Sequence, residues 1–202
     1  MIDLPAWPGP QSAVPRVLDF GGFLEPSSGA EVQRFNRLGN RYAIAVTMPP
    51  LRNRRDGRIW VNRLIKGQKE GARMEWPLQD FDPGTPNLAN GTTIQVDGAG
   101  QSGQLLAIRN VAPRYAFLEG QPLSLEIDGQ MFFDFVGETA IAGDDGKVTI
   151  TLTQLLRKEP PDGAVLHVAK PMVEGFIMGD QVAWELALER TVGLSFEIHE
   201  TR

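Results

Sequence analysis

Residues 121–136 read QPLSLEIDGQMFFDFV, and this stretch sets the fold class. Leu123, Leu125 and Ile127 alternate with Ser124, Glu126 and Asp128. That is the period of two that turns one face of a strand toward a core. Asp128-Gly129 is a dipeptide suited to a type I′ turn, because both central residues of that turn need positive φ. Met131 to Val136 then supplies the returning strand. Downstream, Asp145-Gly146 marks another turn, and Val148, Ile150 and Leu152 alternate with Thr149, Thr151 and Thr153. Upstream, Ile94 and Val96 lie on one short strand and Leu105, Leu106 and Ile108 on the next. Strands recurring about every ten residues between turn signals predict a small closed barrel or sandwich.

The turn-rich segment PLQDFDPGTPNLANG, residues 77–91, bounds this unit on one side. The flanks carry longer alternations. Tyr42, Ile44, Val46 and Met48 follow Gly39-Asn40, a pair that suits a two-residue hairpin, so residues 31–48 are expected to form one. The half before that turn is ambiguous, since Val32, Phe35 and Leu38 also fit a helical turn. Gly179-Asp180 predicts a second hairpin over 172–189, with Trp184, Leu186 and Leu188 alternating, and Leu194, Phe196 and Ile198 continue the pattern. Pro49-Pro50 ends the first pattern, and residues 56–68 read as a helix capped by Asp56. Ile59, Trp60, Leu64 and Ile65 would be its buried side, and Gly67 and Gly71 its end. The economical layout is mainly β. Residues 31–90 and 170–202 form one discontinuous β domain with a flanking helix, and 91–169 is an inserted β domain. Residues 1–30 hold five of the fifteen prolines and Trp7, which predicts an extended arm lying along a neighbour, with one strand at most near Val17–Phe20.

Composition narrows the function. With no cysteine among 202 residues, disulfides, thiolate zinc sites and a cysteine nucleophile are excluded. The start, MIDLPAWPGP, lacks the basic and apolar regions of a signal peptide, and no apolar run is long enough to span a membrane. The net charge of −5 is unevenly spread: residues 31–75 carry +7, residues 76–202 carry −10 and residues 1–30 carry −2. A basic and an acidic segment in one chain can meet within a copy or between copies.

The candidate chemical motifs read as turns and strand faces. Gly98-Ala99-Gly100-Gln101-Ser102-Gly103 fits G-x-G-x-x-G but precedes a strand instead of the helix a dinucleotide site needs. His167 and His199 lack ligand partners at i+3 or i+4. Ser195 lacks the second glycine of a nucleophile elbow. Asp80-Phe81-Asp82 and Asp144-Asp145 lie in turn sequences, where aspartate bonds its own backbone, and Asn90-Gly91-Thr92 is a turn of the same kind. No catalytic residue, cofactor or metal is therefore expected. The distinctive feature is the basic run from Arg52 to Lys69. Arg52, Arg54, Arg55 and Arg58 are expected to form a subunit interface by facing carboxylates of a neighbouring copy, with Trp7 of the arm as a second contact. Phosphate-backbone contact is the competing reading.

Three runs carry a family resemblance: VQRFNRLGNRYAIAVTMPPL (32–51), RIWVNRLIKGQKEGARMEWP (58–77) and KPMVEGFIMGDQVAWELALERTVGLSFEI (170–198). They resemble tail-tip proteins of long-tailed bacteriophages and prophages. Gly91 to Gly98, Glu119 to Leu123 and Lys147 to Leu152 resemble β modules of phage structural proteins. The resemblance covers about residues 31–198. It implies a distal tail, or baseplate-hub, role: a ring, sixfold in such families, that joins tail tube to host-recognition apparatus. It further implies a tail-tube-like β sandwich or barrel with one helix, and assembly in the bacterial cytoplasm into the virion tail. Its implied partners are further copies and tail tube and hub proteins, with no membrane and no sequence-specific nucleic acid. The alternative is a carbohydrate-binding or cell-wall-degrading module of the tail tip, with Trp7, Trp76 or Phe81 as a sugar platform.

Overall fold

The computed structural model describes residues 1–77, 80 and 82–201. The chain is mainly β, with one α-helix among the described residues. The first strands are β1 (Ile2–Asp3), β2 (Ser12–Leu18), β3 (Gly22–Leu24), β4 (Gln33–Phe35), β5 (Arg41–Thr47) and β6 (Leu51–Arg52). A turn of π-helix (Asn53–Gly57) leads into α1 (Arg58–Glu70), followed by β7 (Ala72–Glu75). Next come β8 (Gln95–Val96), β9 (Leu105–Arg109), β10 (Ala116–Phe117), β11 (Pro122–Ile127), β12 (Gln130–Glu138), β13 (Ala140–Ile141), β14 (Val148–Leu152) and β15 (Val165–His167). The chain closes with β16 (Met172–Ile177), β17 (Trp184–Leu186) and β18 (Thr191–Glu200).

Strands β11, β12, β14, β9, β8 and β15 close into a six-stranded barrel. Asp128 (φ 53°) and Gly129 (φ 77°) both have positive φ, so the β11–β12 connection is the I′ turn that its dipeptide predicts. Ile94, Val96, Leu106, Ile108, Leu123 and Ile150 fill the barrel. The remaining long strands form an eight-stranded sheet in which β1, β7, β16, β18, β5 and β2 follow one another, and β6 and β17 join through β18.

β18 organises that sheet. Ile198 pairs with Ile44 on one side and Ile177 on the other, while Val192 pairs with Leu51 and with Leu186. Two chain segments, β5–β6 and β16–β17, thus run along opposite flanks of one ten-residue strand. Val192, Leu194, Phe196 and Ile198 point into the core beneath α1, whose Trp60 ring lies 6.0 Å from that of Phe196. Gly175, between β7 and β18, must be glycine, because a Cβ there would fall 1.8 Å from the His199 carbonyl oxygen.

Several expectations need correction. Gly39-Asn40 does not close a hairpin. β4 pairs back with β3 instead, and β5 takes β2 and β18 as partners. Asn40 instead bridges, accepting from the Phe20 amide and donating to Gln154. Gly179-Asp180 does not pair β16 with β17, since both lie along β18. The helix begins at Arg58, with no side-chain cap, and Asp56 belongs to the π turn before it. Ile59 and Ile65 are on its outer side, and Gly67 sits inside the helix where Ile177 and Ala72 approach closely. The proline-rich start is not a separate arm. β1 pairs with β7, and all seven residues of β2 pair with β5. Pro15 is tolerated there because β2 is an edge strand, where a missing N–H costs no ladder bond.

Barrel and sheet are joined through β12, whose neighbouring residues serve different cores. Phe132 and Val136 belong to the barrel cluster, and Phe133 and Phe135 to the sheet cluster. Trp76 stacks on Phe133 at 4.1 Å, and Tyr42 meets Phe133 and Phe135 edge-on. Behind these rings lies Glu200, 3% exposed. Its carboxylate accepts from the amide of Tyr42 in the sheet (2.7 Å), the amide of Phe133 in the barrel (2.8 Å) and the Arg157 guanidinium (3.0 Å). Removing one partner of such a buried pair strands the others, at a cost of about 3–5 kcal/mol. Glu200→Ala is therefore expected to lower the unfolding free energy by about that amount in urea titration. A loss below about 1 kcal/mol, the level of an exposed ion pair, would contradict this description of the junction.

Candidate assembly surface

Arg52, Arg54, Arg55 and Arg58 lie on β6, the π turn and the first turn of α1, and all four are exposed. Among the described residues no carboxylate lies within 4.0 Å of any of them, although Arg16, Arg34, Arg73, Arg109, Arg114 and Arg157 all have such partners. The β6–β18 pairing fixes their placement, setting Arg52 opposite Thr191. Arg52 and Arg54 line a cleft of about 590 Å³ with Leu186, Glu189, Arg190 and Thr191. Beside it Leu188 is fully exposed at the β17–β18 turn. Trp7, the other expected contact, is 82% exposed between β1 and β2, and the cleft does not include it. Arginine run and tryptophan are thus not brought together.

The sheet offers two further open features. Among the described residues β2 pairs only with β5, so its outer edge has no strand partner there along seven residues, with Val14 and Val17 exposed. β3 and β4 pair only with each other among the described residues, and Phe23, Leu24 and Val32 of that hairpin are exposed. A two-stranded hairpin alone is marginal in water, and an open edge is a template for pairing. Its base is pinned: Asp19 accepts from the Gly21 amide and pairs with Arg34 at 2.6 Å, and these bonds hold its carboxyl below the ordinary value.

The weaker motifs resolve into local structure. Gly98, Gly100 and Gly103 have positive φ in the β8–β9 turn, the Gly98 amide donates to Asp162, and Gln101 plugs the loop through Asp97, Gly98 and Ala107. Ser195 lies exposed on β18 with its hydroxyl toward Thr47. Asp82 accepts from the Gly84 amide, Asp145 from the Lys147 amide and Asn90 from the Thr92 amide, and Asp144 pairs with exposed Arg114. His167 contacts Glu126 across the β11–β15 pair. His199 and Arg16 both meet Glu197, and burial together with Arg16 and Arg41 lowers the His199 pKa. No group of three or more potential metal ligands occurs among the described residues. Of the three aromatic platform candidates, Trp76 is packed at the junction, Trp7 is exposed and Phe81 lies outside the described residues. The chain matches no protein-family model and no curated protein sequence.

Two residues of consequence escaped the sequence reading. Glu200 falls in phase with the buried positions of β18, and Asp134 interrupts the apolar run Met131 to Val136; each phase was the available signal. Asp134 accepts from the Tyr42 hydroxyl (2.9 Å), the Phe135 amide (2.8 Å) and the Gln154 amide (3.2 Å). Burial outweighs these donors and nearby Arg157 and pushes its pKa up to about 6. The folded protein then holds a proton that the unfolded chain has released between about pH 4 and 6. The associated stability is fully present below the unfolded value and is lost as pH rises through about 6. Lowering pH from 7.5 to 5 is expected to stabilise the wild type relative to Asp134→Asn by about 1 kcal/mol, read from paired urea titrations. Parallel pH profiles for the two proteins would refute the assignment.

Proposed function

We propose that this chain is a non-catalytic structural subunit that works by assembling with copies of itself and with partner proteins. The specific form we propose is a ring at the distal end of a phage tail, between the tail tube and the host-recognition apparatus. The observation that carries the reading is the seven-residue free edge of β2 beside a hairpin with exposed apolar side chains. Natural sheets usually blunt such edges with charge, proline, bulges or a covering element, and β2 carries Pro15 and Arg16 at its centre. Here the edge is long, and Val14 and Val17 stand exposed along it. The unpartnered arginines add a second surface with unmet electrostatic demand. The sequence resemblance to tail-tip proteins supplies the setting.

The mechanism is geometric. A repeated contact that joins one surface to a different surface of the next copy closes into a ring when its rotation permits. The test is native mass as a function of concentration, combined with electron microscopy of the particles. A closed annulus at a fixed multiple of 22.2 kDa is expected. A chain that stays monomeric up to millimolar concentration and is absent from purified tails would overturn the proposal.

A further inference from the structure

The base of the β3–β4 hairpin and the arginine cleft lie toward opposite ends of the sheet. β2 leaves the sheet at Leu18, paired with Arg41, beside the Glu200 end of β18. The cleft lies at the Thr191 end, where Arg52 pairs with Thr191. Ten residues of strand separate those ends by about 30 Å. No ion pair joins Glu25 or Glu31 to the cleft arginines within one copy among the described residues.

They are complementary. The tip is a turn in which the Gly29 amide donates to the Pro26 carbonyl, with Glu25 and Glu31 on either side and Leu24 and Val32 exposed behind them. Neither glutamate has a cation within 4.0 Å among the described residues, whereas nine other carboxylates there do have one. The cleft carries Arg52, Arg54 and Arg190 against one carboxylate, Glu189, with exposed Leu186 on its wall. Leu186 belongs to β17, which among the described residues pairs with β18 on the flank opposite β6.

Resting on the proposed self-assembly, we infer that the occupant of this cleft is the β3–β4 hairpin tip of a second copy. Glu25 and Glu31 meet Arg52 and Arg54 there, and Leu24 and Val32 cover Leu186. The contact is head to tail, so every copy offers one tip and one cleft, and each junction of the assembly repeats the same pairing.

A charge-exchange experiment on the full chain tests the pairing. Three variants are compared with wild type by mass against concentration: Arg52→Glu with Arg54→Glu, Glu25→Arg with Glu31→Arg, and all four together. Circular dichroism confirms that each is folded, as expected for exposed positions. Each double reversal is expected to raise the half-assembly concentration by about tenfold or more, the scale of a desolvated arginine losing its carboxylate. The fourfold variant is expected to recover assembly to within a few-fold of wild type. Wild-type assembly with harmless reversals, or with no recovery in the fourfold variant, would overturn the tip-to-cleft contact and leave self-assembly standing. Wild type that never assembles would overturn both. Retention of wild type on duplex DNA with a steep salt dependence, unchanged by the Glu25 and Glu31 reversals, would make the cleft a polyanion site and overturn the pairing.

Discussion

The Glu200 carboxylate sits where the last residues of β18 pass beneath the barrel. It holds one amide from the sheet, Tyr42, one from the barrel, Phe133, and the Arg157 guanidinium. A buried carboxylate is unfavourable on its own, and burial raises the Glu200 pKa despite Arg157 and the two amides. The charge is tolerable because all three donors converge on it. That convergence also fixes the geometry, since the three donors come from separate parts of the chain. Around it, Arg73 on β7 pairs with buried Glu174 and donates to the Gly129 carbonyl at the barrel's hairpin turn. The Met172 amide donates to Ser124. Polar bonds and the Tyr42, Trp76, Phe133 and Phe135 rings therefore lock sheet to barrel on the side where the chain passes between them.

This junction gives the outer features a fixed frame. β18 carries the Glu200 anchor at one end and the arginine cleft at the other, and β5 ties β2 to the same strand. A surface presented on a rigid sheet loses little conformational freedom on association, so more of the contact energy appears as affinity. The free β2 edge, the hairpin and the cleft are three places where hydrogen-bonding or charge capacity is unused within the copy. In the proposed assembly each would serve in a different way: edge to strand addition, hairpin to apolar cover, arginines to carboxylates.

Much of the fold was legible because it rests on local periodicity. The alternation of Tyr42, Ile44 and Val46, that of Leu123, Leu125 and Ile127, and that of Leu194, Phe196 and Ile198 each became a strand with those residues buried. Asp128-Gly129 worked because its turn is dictated by two positive φ angles. Gly39-Asn40 misled because the actual reversal lies in residues 25–32, around Pro26 to Gly29, and pairing partners are chosen by the whole sheet. β2 was underestimated because proline opposes a strand in general and is permitted at an edge in particular. Ile59 and Ile65 lie outside because the stripe that α1 buries runs through Trp60, Leu64 and Gly67, and the two isoleucines flank it on either side. The basic run stands out in sequence, and the structure leaves Arg52, Arg54, Arg55 and Arg58 exposed with no carboxylate partner among the described residues, while Arg63 donates to the Asp3 carbonyl. Glu25 and Glu31 could not be connected to them, because the relation is between two ends of a sheet.

Hydrogen–deuterium exchange measured on dilute and on concentrated protein tests the central claim most directly, since it reads junction and edges in one experiment. The account predicts that the amides of Tyr42 and Phe133 exchange slowly in both samples. It predicts that the outward-facing amides of β2 and residues 22–35 exchange fast in the dilute sample and become protected at high concentration. Protection gained on the barrel alone, or no concentration dependence along the β2 edge and the hairpin, would contradict it.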